Sequence, residues 1–261
     1  MHHRKNSPRP LVLCLSGHDP IGGAGIHADI EACAANGAHA LSVITANTVQ
    51  DSSNVRRVTP VAPMLLAQQM EALLADCTIG AIKIGLLGDA RQLPYLVKAI
   101  RQASVPLVLD PVLRAGGGGN LVSMQLQAAI VEQLFPLVSV LTPNAAEARR
   151  LAPGAPDLAG CAQRLMDAGC ANILVTGGDD AGTSVFNTWY CRGKPPKQYE
   201  WPRINENFHG AGCTLAAAIA ARLACGDELG AALKAAQAYT HRALQQAYAI
   251  GRGRKIPARL V

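Results

Sequence analysis

Short, largely apolar runs alternate along the chain with longer segments in which apolar residues recur at helical spacing. The runs are LVLCLS (11–16), ALSVITA (40–46), GAIKIGLL (80–87), VPLVLD (105–110), LVSVLT (137–142) and NILVT (172–176). Unbroken hydrophobicity, rather than strict alternation, predicts strands covered on both faces. Between and beyond these runs the spacing predicts helices over 24–36, 63–75, 90–102, 123–134, 144–152 and 157–169. The stretches TSVFNTWYCRG (183–193) and PKQYEWPRI (196–204) then read as an antiparallel pair, before two closing helices over 211–225 and 227–248. Strands alternating with helices imply βαβ units, hence an α/β fold with a mainly parallel central sheet, helices on both faces and an antiparallel edge. With no internal repeat and no shift in composition, residues 11–261 are expected to form one domain behind a basic, flexible tail at 1–10.

Composition narrows the function classes. At 49% hydrophobic and 16% charged residues, the chain is expected to fold rather than stay disordered. No apolar run approaches the roughly 18 residues of a membrane span, and no signal-peptide h-region follows the opening MHHRKNSPRP. A soluble cytoplasmic protein is expected. The net charge of +6 comes from scattered Lys and Arg, and aromatics make up only 4%, too few for a base-stacking platform. Nucleic acid is therefore not the expected partner, and attraction to a small anionic substrate explains the charge equally well. Eight cysteines show neither a CxxC pair nor a zinc spacing, and most are expected to be reduced core residues.

In such folds ligands sit beyond the carboxyl ends of the parallel strands, so the loops there carry the chemistry. The first strand ends in SGHDPIGGAGIHADIEA, where three glycines lead into a helix and Asp29 follows about one turn in. Glycines at a helix start let backbone amides approach a ligand. In ANTVQ, residues 46–50, polar side chains read as a loop suited to a heterocycle, because Gln50 can donate and accept at once. Asp110 closes the fourth strand and could orient Mg2+ or cap its own turn. Gly116 to Gly119 read as a mobile flap. Asn144 and Glu147 fit either a capping box or a Mg–phosphate site. In HGAGCT, Gly210 and Gly212 flank a helix start where the amides of Ala211, Gly212 and Cys213 would converge on an anion. That helix start is expected to depress the Cys213 thiol pKa. Neither a G-x-G-x-x-G dinucleotide fingerprint nor a P-loop is present.

Taken together, SGHDPIGGAGIHAD, VITANTVQD, KIGLL, VLDPVL, LTPNAAEA and HGAGCTLAAAIAA resemble, in order and spacing, the hydroxymethylpyrimidine/phosphomethylpyrimidine kinases of thiamin biosynthesis. The resemblance spans about residues 11 to 250 and implies a ribokinase-like three-layer fold, often dimeric. It implies ATP- and Mg2+-dependent phosphorylation of 4-amino-5-hydroxymethyl-2-methylpyrimidine and then of its monophosphate. By motif, Gly17, Asp29 and Gln50 would hold the pyrimidine, with Ala24, Leu86 and Val112 lining its pocket. Asp110 and Glu147 would support Mg2+, and Asn144, Thr176, Gly177 and Thr214 would lie on the nucleotide and phosphate side. Gly210, Ala211, Gly212 and Cys213 would form the anion hole, with Cys213 also the base for the hydroxymethyl group. The chain departs from the family pattern at Thr176, Ala211, Asp179 and the uncharged AGGGGNL flap. A pyridoxal-type kinase, or a pyrimidine-binding protein with weak or lost kinase activity, are the alternatives.

Overall fold

The structure is a computed structural model describing residues 9–113, 121–178 and 182–261; the glycine flap Gly116–Gly119, Asp179 and most of the basic tail lie outside the described residues. The chain forms, in order, β1 (Leu11–His18), α1 (Gly25–Ala35), β2 (His39–Gln50), β3 (Val55–Pro60), α2 (Pro63–Asp76), β4 (Ala81–Ile84), α3 (Leu93–Ala103) and β5 (Leu107–Leu109). It continues with α4 (Met124–Gln133), β6 (Val140–Leu141), α5 (Ala145–Leu151), α6 (Leu158–Asp167), β7 (Asn172–Val175), β8 (Ser184–Cys191), β9 (Lys194–Pro202), α7 (Ala211–Ala224) and α8 (Leu229–Gln245).

The sheet order is β3-β2-β1-β4-β5-β6-β7-β8-β9. Strands β2, β1, β4, β5, β6 and β7 pair in parallel in that order. The predicted hairpin β8–β9 extends one edge antiparallel. A second antiparallel edge, which the hydrophobic pattern does not announce, is β3 pairing with β2. Its sequence, VRRVTP, has no buried residue, so an edge strand of this kind carries no core signature. Its partner β2 continues through ANTVQ, so these residues are strand rather than loop, with Thr48 opposite Val58 and Gln50 opposite Val55.

Along β1 every position from Val12 to Leu15 is fully buried, and successive residues face opposite layers. Leu13 and Leu15 meet α2 and α3 through Leu66, Met70, Leu93 and Leu96. Val12 and Cys14 meet α1, α7 and α8 through Ile26, Ala217, Leu233 and Tyr239. The alanine run of α7 is buried from Thr214 to Ala221. Its short side chains let the helix lie close against α1, where Cys33 Sγ comes within 3.8 Å of the Ala217 carbonyl. The strand order reverses between β1 and β4, the switch point at which a crevice opens beyond the strand ends. Among the described residues no helix is long and apolar enough to cross a membrane.

One charge pair is sealed into this frame. Lys83 on β4 and Asp29 on α1 have side chains that are 0% exposed, with Nζ 2.7 Å from Oδ1. The ammonium also lies 2.9 Å from Asp29 Oδ2, and Ser16 Oγ donates to the same oxygen at 2.6 Å. Burial alone would push the Lys83 pKa down, but the facing Asp29 carboxylate more than offsets this and raises it. Removing one partner leaves an uncompensated buried charge. Lys83→Met is therefore expected to cost about 3–5 kcal/mol in urea unfolding. The double variant Lys83→Met/Asp29→Leu should recover most of that loss; equal destabilisation of single and double variants would show that the cost is one of packing.

Candidate active site

Two glycine-bearing loops, far apart in sequence, meet at the switch point. The β1–α1 loop supplies Gly25 with φ of 58°, and the turn entering α7 supplies Gly210 with φ of 87°. A Cβ on Gly25 would collide with the Gly17 carbonyl, and one on Gly210 with the Gly23 carbonyl. Only glycine permits both the left-handed conformation and the approach of backbone to backbone. Side chains then fasten the seam. His209 Nε2 lies 2.8 Å from Asp19 Oδ2, and Asp19 also accepts from the amides of Ile21 at 3.1 Å and Ala24 at 2.9 Å. The buried Arg259 guanidinium donates to Thr214 Oγ1 at 2.8 Å, to Glu31 at 3.0 Å and to the Gly22 and Gly23 carbonyls. Tyr239 holds the carbonyl of Arg259 at 2.8 Å.

Above this seam is a cavity of about 340 Å³. Most of the residues expected from the sequence line it: Gly17, Ala24, Gln50, Leu86, Val112, Asp110, Asn144, Glu147, Thr176 and the loop Gly210–Cys213. Gln50 Nε2 donates to Thr48 Oγ1 at 2.8 Å, which in turn donates to the His18 carbonyl at 2.8 Å, so the amide is steered by the end of β1. Asn144 and Glu147 form the capping box of α5: Asn144 Oδ1 accepts from the Glu147 amide at 2.8 Å, and Glu147 Oε2 accepts from the Asn144 amide at 3.1 Å. Glu147 also faces the Leu113 amide at 3.4 Å, tying the end of the fifth-strand loop to the helix.

Three expected residues do not line the cavity. Asp29 lies beneath its floor, turned into the core toward Lys83. Thr214 is fully buried, its hydroxyl donating to the Gly210 carbonyl at 2.7 Å and accepting from Arg259. The buried Gly177 directs its amide to Asn187 Oδ1 at 3.1 Å. The Cys213 expectation is overturned in sign. Crowding of its sulfur away from water pushes the thiol up to about 12; Lys83 and the Gly25 amide pull it down, but Asp110 and Asp29 oppose them. Burial likewise raises the Asp110 carboxyl, with Lys83 and a hydrogen bond from the Cys213 thiol acting against it. The helix terminus is thus outweighed by desolvation and by two carboxylates, and Cys213 keeps its proton at neutral pH.

A second cavity of about 350 Å³ opens on the far side of Ala211. It is lined by Asn187, Trp201, Gln237, Thr240 and His241, and shares Gly178, Phe208, Ala211 and Arg254 with the first. Gln237 Oε1 accepts from Asn187 at 2.9 Å and from the Trp201 indole at 3.2 Å, and its own amide is held by the Leu233 carbonyl at 2.9 Å. Trp201 and His241 lie with ring centroids 5.4 Å apart. This polar-and-aromatic wall was not singled out in the sequence, because β8, β9 and α8 contribute one or two residues each. Lys83, His209, Arg254 and Arg259 were also missed. Only Lys83 left a local signal, a lysine inside the apolar run AIKIG, where a buried cation demands a partner.

The family model described as Phosphomethylpyrimidine kinase matches residues 19–258. The hydroxymethylpyrimidine/phosphomethylpyrimidine kinase of Synechococcus elongatus is 36% identical over 249 residues, covering 94% of this chain and 95% of its own length. That of Rhizobium meliloti is 37% identical over 252 residues, covering 94% of each. Among solved structures, the pyridoxal kinase from Staphylococcus aureus in complex with AMP-PCP shares the fold, with a TM-score of 0.88 at 24% identity over 97% of this chain and 94% of that one.

The seam carries a pH dependence. Burial would raise the Asp19 carboxyl, but His209 and the Ile21 and Ala24 amides more than compensate and hold it below its ordinary 3.8. A carboxyl lowered on folding stabilises fully above its unfolded pKa, and that contribution is lost as pH falls through the folded value. Asp19→Asn should therefore unfold at a less acid-dependent midpoint, with the loss of thermal stability below about pH 4 shallower than in the parent. An unchanged acid limb would place the acid-sensitive group elsewhere.

Proposed function

The chain belongs to the phosphomethylpyrimidine kinase family, and we propose that it transfers the γ-phosphoryl group of ATP to 4-amino-5-hydroxymethyl-2-methylpyrimidine and then to the resulting monophosphate. The observation that carries this reading is the meeting of two cavities at one helix start. The first presents the carboxamide of Gln50 and the walls of Gly17, Ala24, Leu86 and Val112, a set suited to a small aminopyrimidine. The second presents Trp201, His241 and the Gln237–Asn187 amide pair, suited to a purine base. Between them stand the amides of Ala211, Gly212 and Cys213 in the first turn of α7, which have no intrahelical acceptors.

The chemistry asked of these residues is chiefly positioning and charge stabilisation, because phosphoryl transfer passes through a loose transition state with charge spread over the transferred oxygens. Three amides at a helix start are preorganised for that charge. Asp110 and Glu147 fit a hard cation: both are carboxylates lining the same cavity, and Mg2+ takes one or two carboxylates together with substrate phosphates. Bound there, Mg2+ would neutralise phosphate charge. Asn144 and Thr176 stand beside it at the ends of β6 and β7, joined by a backbone bridge. Asp29 acts from below: with Lys83 it fixes α1 and the loop that presents Gly17 and Ala24. Gly177 and Thr214 likewise serve the site through backbone placement. The family resemblance supports a single kinase domain over residues 11–261, acting as a cytoplasmic homodimer.

The test is turnover of purified protein with Mg-ATP and, separately, the pyrimidine alcohol and its monophosphate. ADP release with both is expected; binding of the pyrimidine without ADP release, or turnover of pyridoxal alone, would overturn the reading. Cys213→Ala removes a thiol that is protonated at neutral pH and leaves the backbone amide, so kcat should fall by less than the roughly 100-fold lower bound of a general-base loss. Its Kd for the pyrimidine should stay within about threefold, since the thiol contributes no buried ion pair to it.

A further inference from the structure

A site for phosphate esters needs positive charge, and the described part of this one contains little. The first cavity is lined by three carboxylates, Asp19, Asp110 and Glu147. Among its described lining residues the only lysine or arginine is Arg254. The other cations near the seam are already engaged: Lys83 with Asp29, Arg259 with Glu31, Lys255 with Glu206. Arg254 forms no ion pair among the described residues, and its guanidinium makes a single long contact, Nη2 to the Ser53 carbonyl at 3.4 Å. It is half-buried, and it lines both cavities.

We propose that Arg254 is a phosphate-binding residue of this kinase, clamping the phosphate that lies where the two cavities meet. The proposal rests on the kinase reading above and adds a ligand-contacting residue to it. The loop that carries Arg254 is fixed on both sides of the junction. The Arg254 amide donates to the Ser52 carbonyl at 3.0 Å and the Gly253 amide to Ser52 Oγ at 2.9 Å, which ties the loop to the β2–β3 turn. One residue later, the Lys255 amide donates to the Asn207 carbonyl at 3.1 Å and its carbonyl accepts from the His209 amide at 2.8 Å, which ties it to the entrance of α7. The backbone is thereby placed while the guanidinium keeps donors to spare. Its planar fork matches two phosphate oxygens, a geometry that a point cation does not offer. Burial lowers the proton affinity of this guanidinium, with Asp19 only partly restoring it.

Two phosphates can reach the junction, the polyphosphate of ATP and the phosphate of the pyrimidine monophosphate. The full chain carrying R254Q is assayed by steady-state kinetics with ATP and each acceptor, beside its thermal melting. A charge-assisted hydrogen bond is worth about 1.5–3 kcal/mol, so R254Q should raise a phosphate-dependent KM by about 10–100-fold. The KM for the unphosphorylated alcohol should stay within about twofold, with the melting temperature unchanged, because the head group makes only one long contact. A rise in the KM for ATP in both reactions identifies the nucleotide as the source; a rise for the monophosphate alone identifies the acceptor. R254K, which keeps the charge but loses the fork, should fall between parent and R254Q. It carries the same comparison if R254Q does not fold. Unchanged KM values for ATP and monophosphate, or an equal rise for the uncharged alcohol, would overturn the proposal. If the parent turns over neither pyrimidine, it is the kinase reading that fails; inorganic pyrophosphate binding, measured calorimetrically on parent and R254K, then still decides whether Arg254 holds phosphate.

Discussion

The site depends on a backbone-to-backbone seam. Gly25 is pressed on the Gly17 carbonyl and Gly210 on the Gly23 carbonyl, both in left-handed conformations. Any side chain at either position would force apart the loop that brings Gly17 and Ala24 to the cavity and the helix start that brings Gly210–Cys213 to it. Such an approach leaves polar backbone groups facing one another without a regular ladder, and partners must be found for them. Arg259 and Asp19 supply these partners. The first caps the Gly22 and Gly23 carbonyls and anchors Thr214, and the second gathers the Ile21 and Ala24 amides and joins His209. The extreme C-terminal segment thus closes a site whose first loop lies near the N-terminus.

Beneath the seam the electrostatics form a graded column. Lys83 is the buried centre of positive charge, compensated directly by Asp29 and at longer range by Asp110. This explains why the helix terminus fails to make Cys213 a thiolate. A half-charge at a helix start stabilises an anion by about 0.3–1 kcal/mol when exposed. Desolvation of a buried group can shift a pKa by up to about 3–5 units, a larger effect, and two neighbouring carboxylates add to it. The expectation from sequence considered only the dipole, since neither the burial of the sulfur nor the convergence of Asp110 and Asp29 upon it is local in the chain.

What was legible in the sequence follows from the same distinction between local and distant causes. Strands buried on both faces announced themselves as apolar runs, and residues at or beyond their ends do converge: Gln50 at the end of β2, and Asp110 and Asn144 after β5 and β6, line one cavity with the Gly210–Cys213 turn. The α5 capping box was visible because its two members are three residues apart. Edge strand β3 was invisible because an edge has no buried stripe to show. Asp29 was correctly placed one turn into α1, yet its direction depended on Lys83, more than fifty residues away on a neighbouring strand. Arg254 and Arg259 sit in a C-terminal stretch that, read alone, is only a basic end; their positions are set by contacts with Ser52, Gly22 and Thr214.

The two reactions assigned to this site make different demands, and the protonated thiol fits that difference. An alcohol acceptor must lose a proton during transfer, so a base helps. A phosphate monoester has a second pKa near 6 and arrives at neutral pH as a nucleophile already largely deprotonated, so its phosphorylation needs no base. The element common to both steps is the charge on the transferred phosphoryl group, which the proposed cradle of the Ala211, Gly212 and Cys213 amides would meet in either case. A strongly anionic thiolate at position 213 would aid the first step but repel the phosphate acceptor of the second. A thiol held near 12 by burial avoids that repulsion while leaving the amide cradle intact. The burial that keeps Cys213 protonated at neutral pH would therefore, on the proposed reading, let a single helix start serve an uncharged acceptor and an anionic one.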